Sequence, residues 1–185
     1  MKLETDRLKL REFKQADAEV LAKLLDNKEV SKNIAMIPHP YDLEDAKEFI
    51  KDCEKKARQN PRPRYNFVIE SRDQGNFLGS ISLDKSKKDK QVAELGYWLA
   101  EKYWQNGYMS EAVERILKFG FEKLDLRRIE AGVYPNNIAS ISILEKYNFK
   151  REGVKRKAQR TEATGRIHDV IMYGRLSENF NSQAK

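Results

Sequence analysis

The sequence predicts one mixed α/β (α+β) domain, on three observations. Strand-like and helix-like segments follow one another in the order β-α-α-β-β-β-α-β-α-β-β. A strand, a helix and a second strand after residue 92 demand a parallel crossover, so the sheet cannot be wholly antiparallel. The chain has 185 residues, enough for one full core, and no stretch reads as a linker. The domain is expected to span 1–176, followed by a frayed tail, 177–185.

Each element has its own signal. Residues 7 to 13 alternate, with Leu8 and Leu10 on one face, and read as a strand. Residues 15 to 26 place Val20, Leu21, Leu24 and Leu25 at helical spacing. A Pro-punctuated loop, NIAMIPHPYD, follows. Asp42 is placed to cap a helix whose apolar positions are Ala46, Phe49, Ile50, Cys53 and Ala57. RYNFVIE and NFLGSISL read as strands joined by the turn RDQG. The basic run KSKKDK, residues 85 to 90, reads as a hairpin loop into a third strand, VAELGYWLA. Val113, Ile116, Leu117, Gly120, Phe121 and Leu124 form a helical stripe. RRIEAGVY is a strand, NIASISILEKY a helix, and two strands are expected near 149 to 159 and 166 to 175.

Composition narrows the function classes. The formal charge is +7, from 36 Lys plus Arg against 29 Asp plus Glu, and most basic residues alternate with acids. That pattern reads as a solvated surface rather than a nucleic-acid footprint, and paired-aromatic RNA-binding signatures are absent. No apolar run approaches the roughly 18 residues of a membrane span. The charged, alternating N-terminus MKLETDRLKLREF resembles neither a signal nor a transit peptide, so a cytoplasmic location is expected. The single cysteine, Cys53, falls on an apolar helix face and reads as core. His39 and His168 lie far apart, and no metal site is expected.

The stretch VAELGYWLAEKYWQNGYMSEAV, residues 92 to 113, passes from strand to helix through a turn containing Gly107. A helix N-terminus offers unpaired N–H groups and partial positive charge, and glycine lets a ligand approach the backbone. An anion, most naturally phosphate, suits such a place, although one glycine before a helix is a weak signal. Neither a P-loop nor a GxGxxG fingerprint is present.

AELGYWLAEKYWQNGYMSEA resembles the central acetyl-CoA-binding motif of the GNAT N-acetyltransferases, within the RimJ/RimL-like branch that acetylates ribosomal-protein N-termini. TDRLKLREF is similar to that family's first strand, FLGSISL to its third, PNNIASISILEKYNFKREGV to its second cofactor motif and GRIHDVIMYGRL to its last strand. The resemblance implies a GNAT fold: a mixed, mostly antiparallel sheet, splayed between its fourth and fifth strands, with helices on both faces. Acetyl-CoA would lie in the gap. Tyr97, Trp98 and Leu99 would offer backbone groups to the pantetheine and the acetyl carbonyl. The loop of Trp104, Gln105, Asn106, Gly107, Tyr108, Met109 and Ser110 would wrap the diphosphate. Met109 departs from the small residue commoner there, and Trp104 from the first polar residue, as is usual in this branch.

Acetyl transfer to an amine needs a base for the ammonium, a donor to the thioester oxygen and a proton for the leaving thiolate. Glu94, an acid within an apolar strand, is the candidate base and amine anchor. Its flanking Val92, Ala93 and Leu95 should raise its pKa. The resemblance makes Asn137 a pantetheine contact and Ser140 the donor to the thiolate. The tyrosine that other members use is replaced by Leu144, and Tyr147 is out of register with it. Read without the family, Asn137 is a helix cap and Ser140 a small helix residue. Asn148 replaces a glycine and should tolerate a left-handed backbone. The oxyanion donor is expected near Trp98, where the strand would bulge. His168 and Asp169 read as ordinary strand residues that could shape the acceptor pocket.

The acceptor side is least legible. Residues 27 to 41 would roof it, with Asn33, Met36, Tyr97 and Trp104 lining the entry. The acceptor is an amine: a peptide or ribosomal-protein N-terminus, a polyamine, an amino acid or an antibiotic. A non-catalytic CoA-binding module, or a ribosome-associated protein on the same fold, is the alternative. The resemblance is compatible with a homodimer, which no residue pattern marks.

Overall fold

The structure is a computed structural model and describes residues 1–181. One eight-stranded sheet runs in the order β1-β2-β3-β4-β5-β6-β8-β7. Its strands are β1 (Lys2–Glu4), β2 (Leu8–Arg11), β3 (Arg64–Ser71), β4 (Phe77–Lys85), β5 (Val92–Leu99), β6 (Arg128–Val133), β7 (Lys150–Arg160) and β8 (Ile167–Leu176). Every pairing is antiparallel except β5 with β6. The helices are α1 (Ala18–Leu25), α2 (Lys28–Ser31), α3 (Leu43–Ala57), α4 (Tyr108–Glu122), α5 (Ile138–Lys146) and α6 (Glu178–Asn181). None is long and apolar enough to cross a membrane.

Two apolar clusters sandwich the sheet. On one face, α4 presses Ala112, Val113, Ile116 and Leu117 against Leu83, Ala93, Leu95 and Ile129. On the other, Leu21 and Leu25 of α1 and Ala46, Ile50 and Cys53 of α3 pack with Phe77 and Val68. Fully burying a Leu or Ile side chain contributes about 1.5–3 kcal/mol, so these stripes are what hold the helices to the strands. Asp42 caps α3 as the sequence predicts, its carboxylate accepting from the N–H groups of Glu44 and Asp45. Cys53 is core: burial pushes its thiol up to about 12, and the Asn66 amide donates to its sulfur at 3.2 Å.

Some details depart from the sequence expectations. The N-terminal residues form an extra edge strand, β1, folded back through a turn in which Thr5 N–H bonds the Leu8 carbonyl at 2.9 Å. The segment 27–41 contains a short helix, α2, capped by Asn27. Val20 is exposed rather than core, because α1 buries Ala18, Leu21 and Leu25. The tail is not frayed throughout: residues 178–181 form a helical turn, and the Phe180 ring meets Phe121 at 5.2 Å.

The sheet opens in the middle. β5 has eight residues, but only Val92, Ala93 and Glu94 pair with β6, opposite Arg128, Ile129 and Glu130. Beyond Glu94 the strands diverge, as the resemblance implies. On its other edge β5 pairs with β4 without a register break from Gly79–Leu99 to Lys85–Ala93. The bulge expected near Trp98 is therefore absent; the register breaks lie elsewhere, in β3–β4 between Ile69 and Glu70, and in β7–β8 between Arg151 and Gly153 and between Lys155 and Gln159. The main chain of β5 is freed because β6 leaves, not because β5 buckles.

Candidate active site

The ladder decides which groups face the opening. Ala100 N–H bonds the Leu78 carbonyl at 2.9 Å. Main-chain direction alternates along an antiparallel strand, so Trp98 and Gly96 also turn their backbone groups to β4. Tyr97 and Leu99 turn theirs into the gap. One of these is claimed: the Trp104 indole N–H donates to the Leu99 carbonyl at 2.8 Å. Trp98 keeps its main chain in the sheet and stacks its ring on Phe77, centroids 6.1 Å apart.

Side chains alternate across the sheet in the same way. Leu95, Tyr97 and Leu99 pack on the α4 side, whereas Glu94, Gly96 and Trp98 face the α3 side. Helix α5 lies across the gap from β5. Asn137 caps it, its side-chain oxygen accepting from Ser140 N–H at 3.1 Å. Ser140 reaches back over the opening, and its hydroxyl lies 2.8 Å from the Tyr97 hydroxyl. Burial pushes the Tyr97 phenol up to about 12, with Ser140 opposing, so it stays protonated at neutral pH. Leu144 is buried, and Asn148 adopts the left-handed backbone, φ 57°.

The loop before α4 has a backbone shaped for close approach. Gln105 and Gly107 both take positive φ, 61° and 75°. None of the six N–H groups of residues 105–110 has a protein acceptor among the described residues. Arg7 braces the loop from outside. Its guanidinium donates to the Asn106 carbonyl at 3.1 Å and to Glu111 at 2.7 Å, and it lies 4.8 Å from the Tyr108 ring centre. Glu111 also accepts from Thr5 and from the Arg7 N–H. Burial pushes the Glu111 pKa up, but these bonds outweigh it and hold the carboxyl below its usual range. Ser110 joins α4 to α5, with the Lys146 ammonium at 2.6 Å and the Tyr147 hydroxyl at 3.0 Å. Two cations, Arg7 and Lys146, thus flank the unclaimed amides.

Glu94 stands at the last position of β5 that pairs with β6. Its cross-strand neighbours are Asp84 on β4 and Glu130 on β6, so three carboxylates share one face. Its pKa is raised, first by the protein packed around it, then by Asp84 and Glu130; Lys155 and Arg64 oppose the rise. The side chain nonetheless keeps an exposed surface, so a proton acceptor there remains reachable. The expected rise is present, with a cause beyond the apolar flanks: two like charges in register. Periodicity within one strand could not reveal them, because they depend on cross-strand register.

The remaining expected residues are less assembled. Trp104 is 39% exposed and fixed through its indole N–H. Met36 is 76% exposed, and Asn33 spends its amide on the Glu29 carbonyl, so neither is brought against Glu94. His168 is not an ordinary satisfied strand residue. Its ring stacks on Tyr134 at 4.4 Å, and its Nε2 is buried without a partner. Asp169 accepts from Lys157 N–H.

Comparisons with known proteins bear on the family and the fold. The model of the acetyltransferase (GNAT) domain matches residues 7–150. The Bacillus licheniformis protein named "Uncharacterized N-acetyltransferase p20" is 32% identical over 178 residues, covering 96% of this chain and 97% of its own. The crystal structure of a GNAT-family acetyltransferase from Bacillus anthracis superposes with a TM-score of 0.81 at 27% identity, covering 96% of this chain and 99% of that one. RimL, a ribosomal L7/L12 α-N-protein acetyltransferase solved with coenzyme A, gives 0.83 at 21% identity, over 95% and 98% of the two chains; at that identity the likeness is one of fold.

Proposed function

Given that the chain belongs to the GNAT family and is an N-acetyltransferase, we propose that acetyl-CoA enters the gap between β5 and β6 from the α4 side and a primary amine enters from the α3 side. One observation carries this reading: the sheet opens beside six main-chain amides that no protein group uses among the described residues. The amides of residues 105–110 at the head of α4 suit a diphosphate, which both the helix dipole and the flanking Arg7 and Lys146 favour. The main-chain groups of Tyr97 and the N–H of Leu99 suit the pantetheine arm, and Asn137, whose oxygen is spent on the cap, retains its amide N–H groups to donate. Acetyl-CoA supplies an acetyl group activated as a thioester.

The residues of the chain then divide the proton work by sheet face. Glu94, with its raised pKa, takes a proton from the incoming ammonium. The Tyr97 or Leu99 N–H, turned toward the gap, would suit donation to an acyl oxygen there. On the opposite face Ser140 donates toward the departing sulfur, and Tyr97 can restore the Ser140 proton through their shared hydrogen bond. Base and acid on opposite faces match two substrates that meet inside the sheet.

For the acceptor, the fold likeness to RimL makes a protein N-terminus the first to try. A screen of ribosomal-protein N-terminal peptides, polyamines and amino acids, read by release of free thiol, tests the reading. Turnover with one class and a rise in melting temperature with acetyl-CoA are expected. Thermal stabilisation without thiol release from any amine would reduce the protein to a binder.

A further inference from the structure

The basic charge of this chain is concentrated at one end of the sheet. β7, KREGVKRKAQR, is the terminal strand in the sheet order, and ten of its eleven residues are exposed. It carries six cations, Lys150, Arg151, Lys155, Arg156, Lys157 and Arg160, against one carboxylate, Glu152. That is a net +5 on one strand, compared with +7 for the whole chain. Glu152 is committed to Arg128 of β6, at 2.7 Å. Among the described residues, no carboxylate lies within ion-pair distance of any of the six.

We propose that the outer edge of β7 is a docking strip for an acidic, extended polypeptide that pairs with residues 150–155, before the break at which Lys157 takes φ 48°, and runs on beside the cations that follow. A terminal strand leaves half of its main-chain donors and acceptors without a sheet partner, and another extended backbone satisfies them. The charge selects the occupant. A second copy of this chain would set +5 against +5, whereas a peptide rich in Asp and Glu neutralises the strip. The strip has no aromatic residue for bases to stack on, which disfavours single-stranded nucleic acid. Val154, exposed between the cations, offers an apolar contact. Lysines and bulges also keep edge strands from pairing with copies of themselves, and β7 has both, which is a further reason against a second copy as the occupant. The strand leads into a turn whose Glu162 N–H bonds the Ala35 carbonyl at 3.1 Å, so a docked chain lies next to the segment 27–41. The inference rests on the strand itself and does not require the acetyl-transfer reading.

The test uses the full chain and a fluorescein-labelled peptide of alternating glutamate and threonine, as long as β7. Anisotropy should report binding that weakens with salt, and the β7 amides should gain protection from hydrogen exchange. A lysine–threonine peptide should not bind. The double variant Lys150→Glu, Arg156→Glu, both fully surface positions, should lose affinity at least about tenfold, or about 1.4 kcal/mol. The proposal is overturned by no binding, by binding that the variant leaves unchanged, or by binding without protection of β7. Tighter binding of a single-stranded RNA oligonucleotide, lost in the same variant, would also overturn it and make the strip a nucleic-acid surface.

Discussion

The hydroxyls of Tyr97 and Ser140 lie 2.8 Å apart, bridging the opening between β5 and α5. Ser140 alone is a poor acid, since its hydroxyl must regain any proton it passes on. A phenol held near 12 by burial is protonated at every working pH and can donate to Ser140 while Ser140 donates onward. Ser140→Ala should cost turnover about 10²-fold. Tyr97→Phe should cost less, with the KM for acetyl-CoA little changed. If the two act as one unit, the double variant will be no slower than Ser140→Ala. Additive losses, measured by thiol release at saturating substrates, would separate them.

Glu94 and Asp84 occupy opposing positions on β5 and β4. The like charge helps hold the Glu94 pKa above the ordinary carboxylate range, after the larger effect of the surrounding protein. A base works only when ionised, so kcat/KM for the amine should fall as pH drops through that raised pKa. Asp84→Asn removes one like charge and lowers the Glu94 pKa, so the acid limb should move to lower pH. Glu94→Gln should remove most turnover at neutral pH and recover it only at high pH, where the amine deprotonates unaided, leaving acetyl-CoA affinity intact. An unmoved limb in Asp84→Asn, and turnover in Glu94→Gln equal at neutral and high pH, would place the base elsewhere.

These pairs mark the boundary of what the sequence reveals. The strand from 92 to 99, the loop at 104–110, the capped helix at 137 and the parallel crossover are local patterns, readable from periodicity, Gly107 and Asn137. The opening follows from the family resemblance, since nothing in RRIEAGVY says where its pairing with β5 ends. Contacts between distant segments are hidden, because they depend on register and packing. Asp84 beside Glu94, Arg7 under Asn106 and Lys146 on Ser110 belong to this class. Residues 27–41 are hidden for another reason: prolines and polar residues disguise the short helix capped by Asn27.

Arg7 ties the first turn of the chain to the loop that should hold the diphosphate, through Asn106 and Glu111. It acts on the loop's shape and on the local potential, not on the reacting atoms. Arg7→Ala should therefore raise the KM for acetyl-CoA about tenfold, a loss of about 1.4 kcal/mol, and leave kcat nearly unchanged. Arg7→Lys should recover less than half of that loss in free energy, because an ammonium cannot span both partners as the guanidinium does. A fall in kcat at unchanged KM would assign Arg7 to the chemistry instead.

Gly79 sets how closely β4 approaches the part of β5 that borders the opening. A Cβ there would overlap the Trp98 carbonyl oxygen and come within 2.8 Å of the Leu99 Cα, both main-chain atoms that cannot swing aside. Gly79→Ala must displace β5 where its backbone faces the gap. Overpacking of this kind costs about 1–3 kcal/mol, so the melting temperature should fall by several degrees. The displaced strand should also weaken acetyl-CoA binding, measured by titration calorimetry at a temperature where the variant is folded. Gly153→Ala, with nothing within 4 Å of the added methyl group, is the matched control and should change neither quantity. If Gly79→Ala loses stability but binds acetyl-CoA as tightly as the parent, the spacing of β4 and β5 matters to the fold and not to the site.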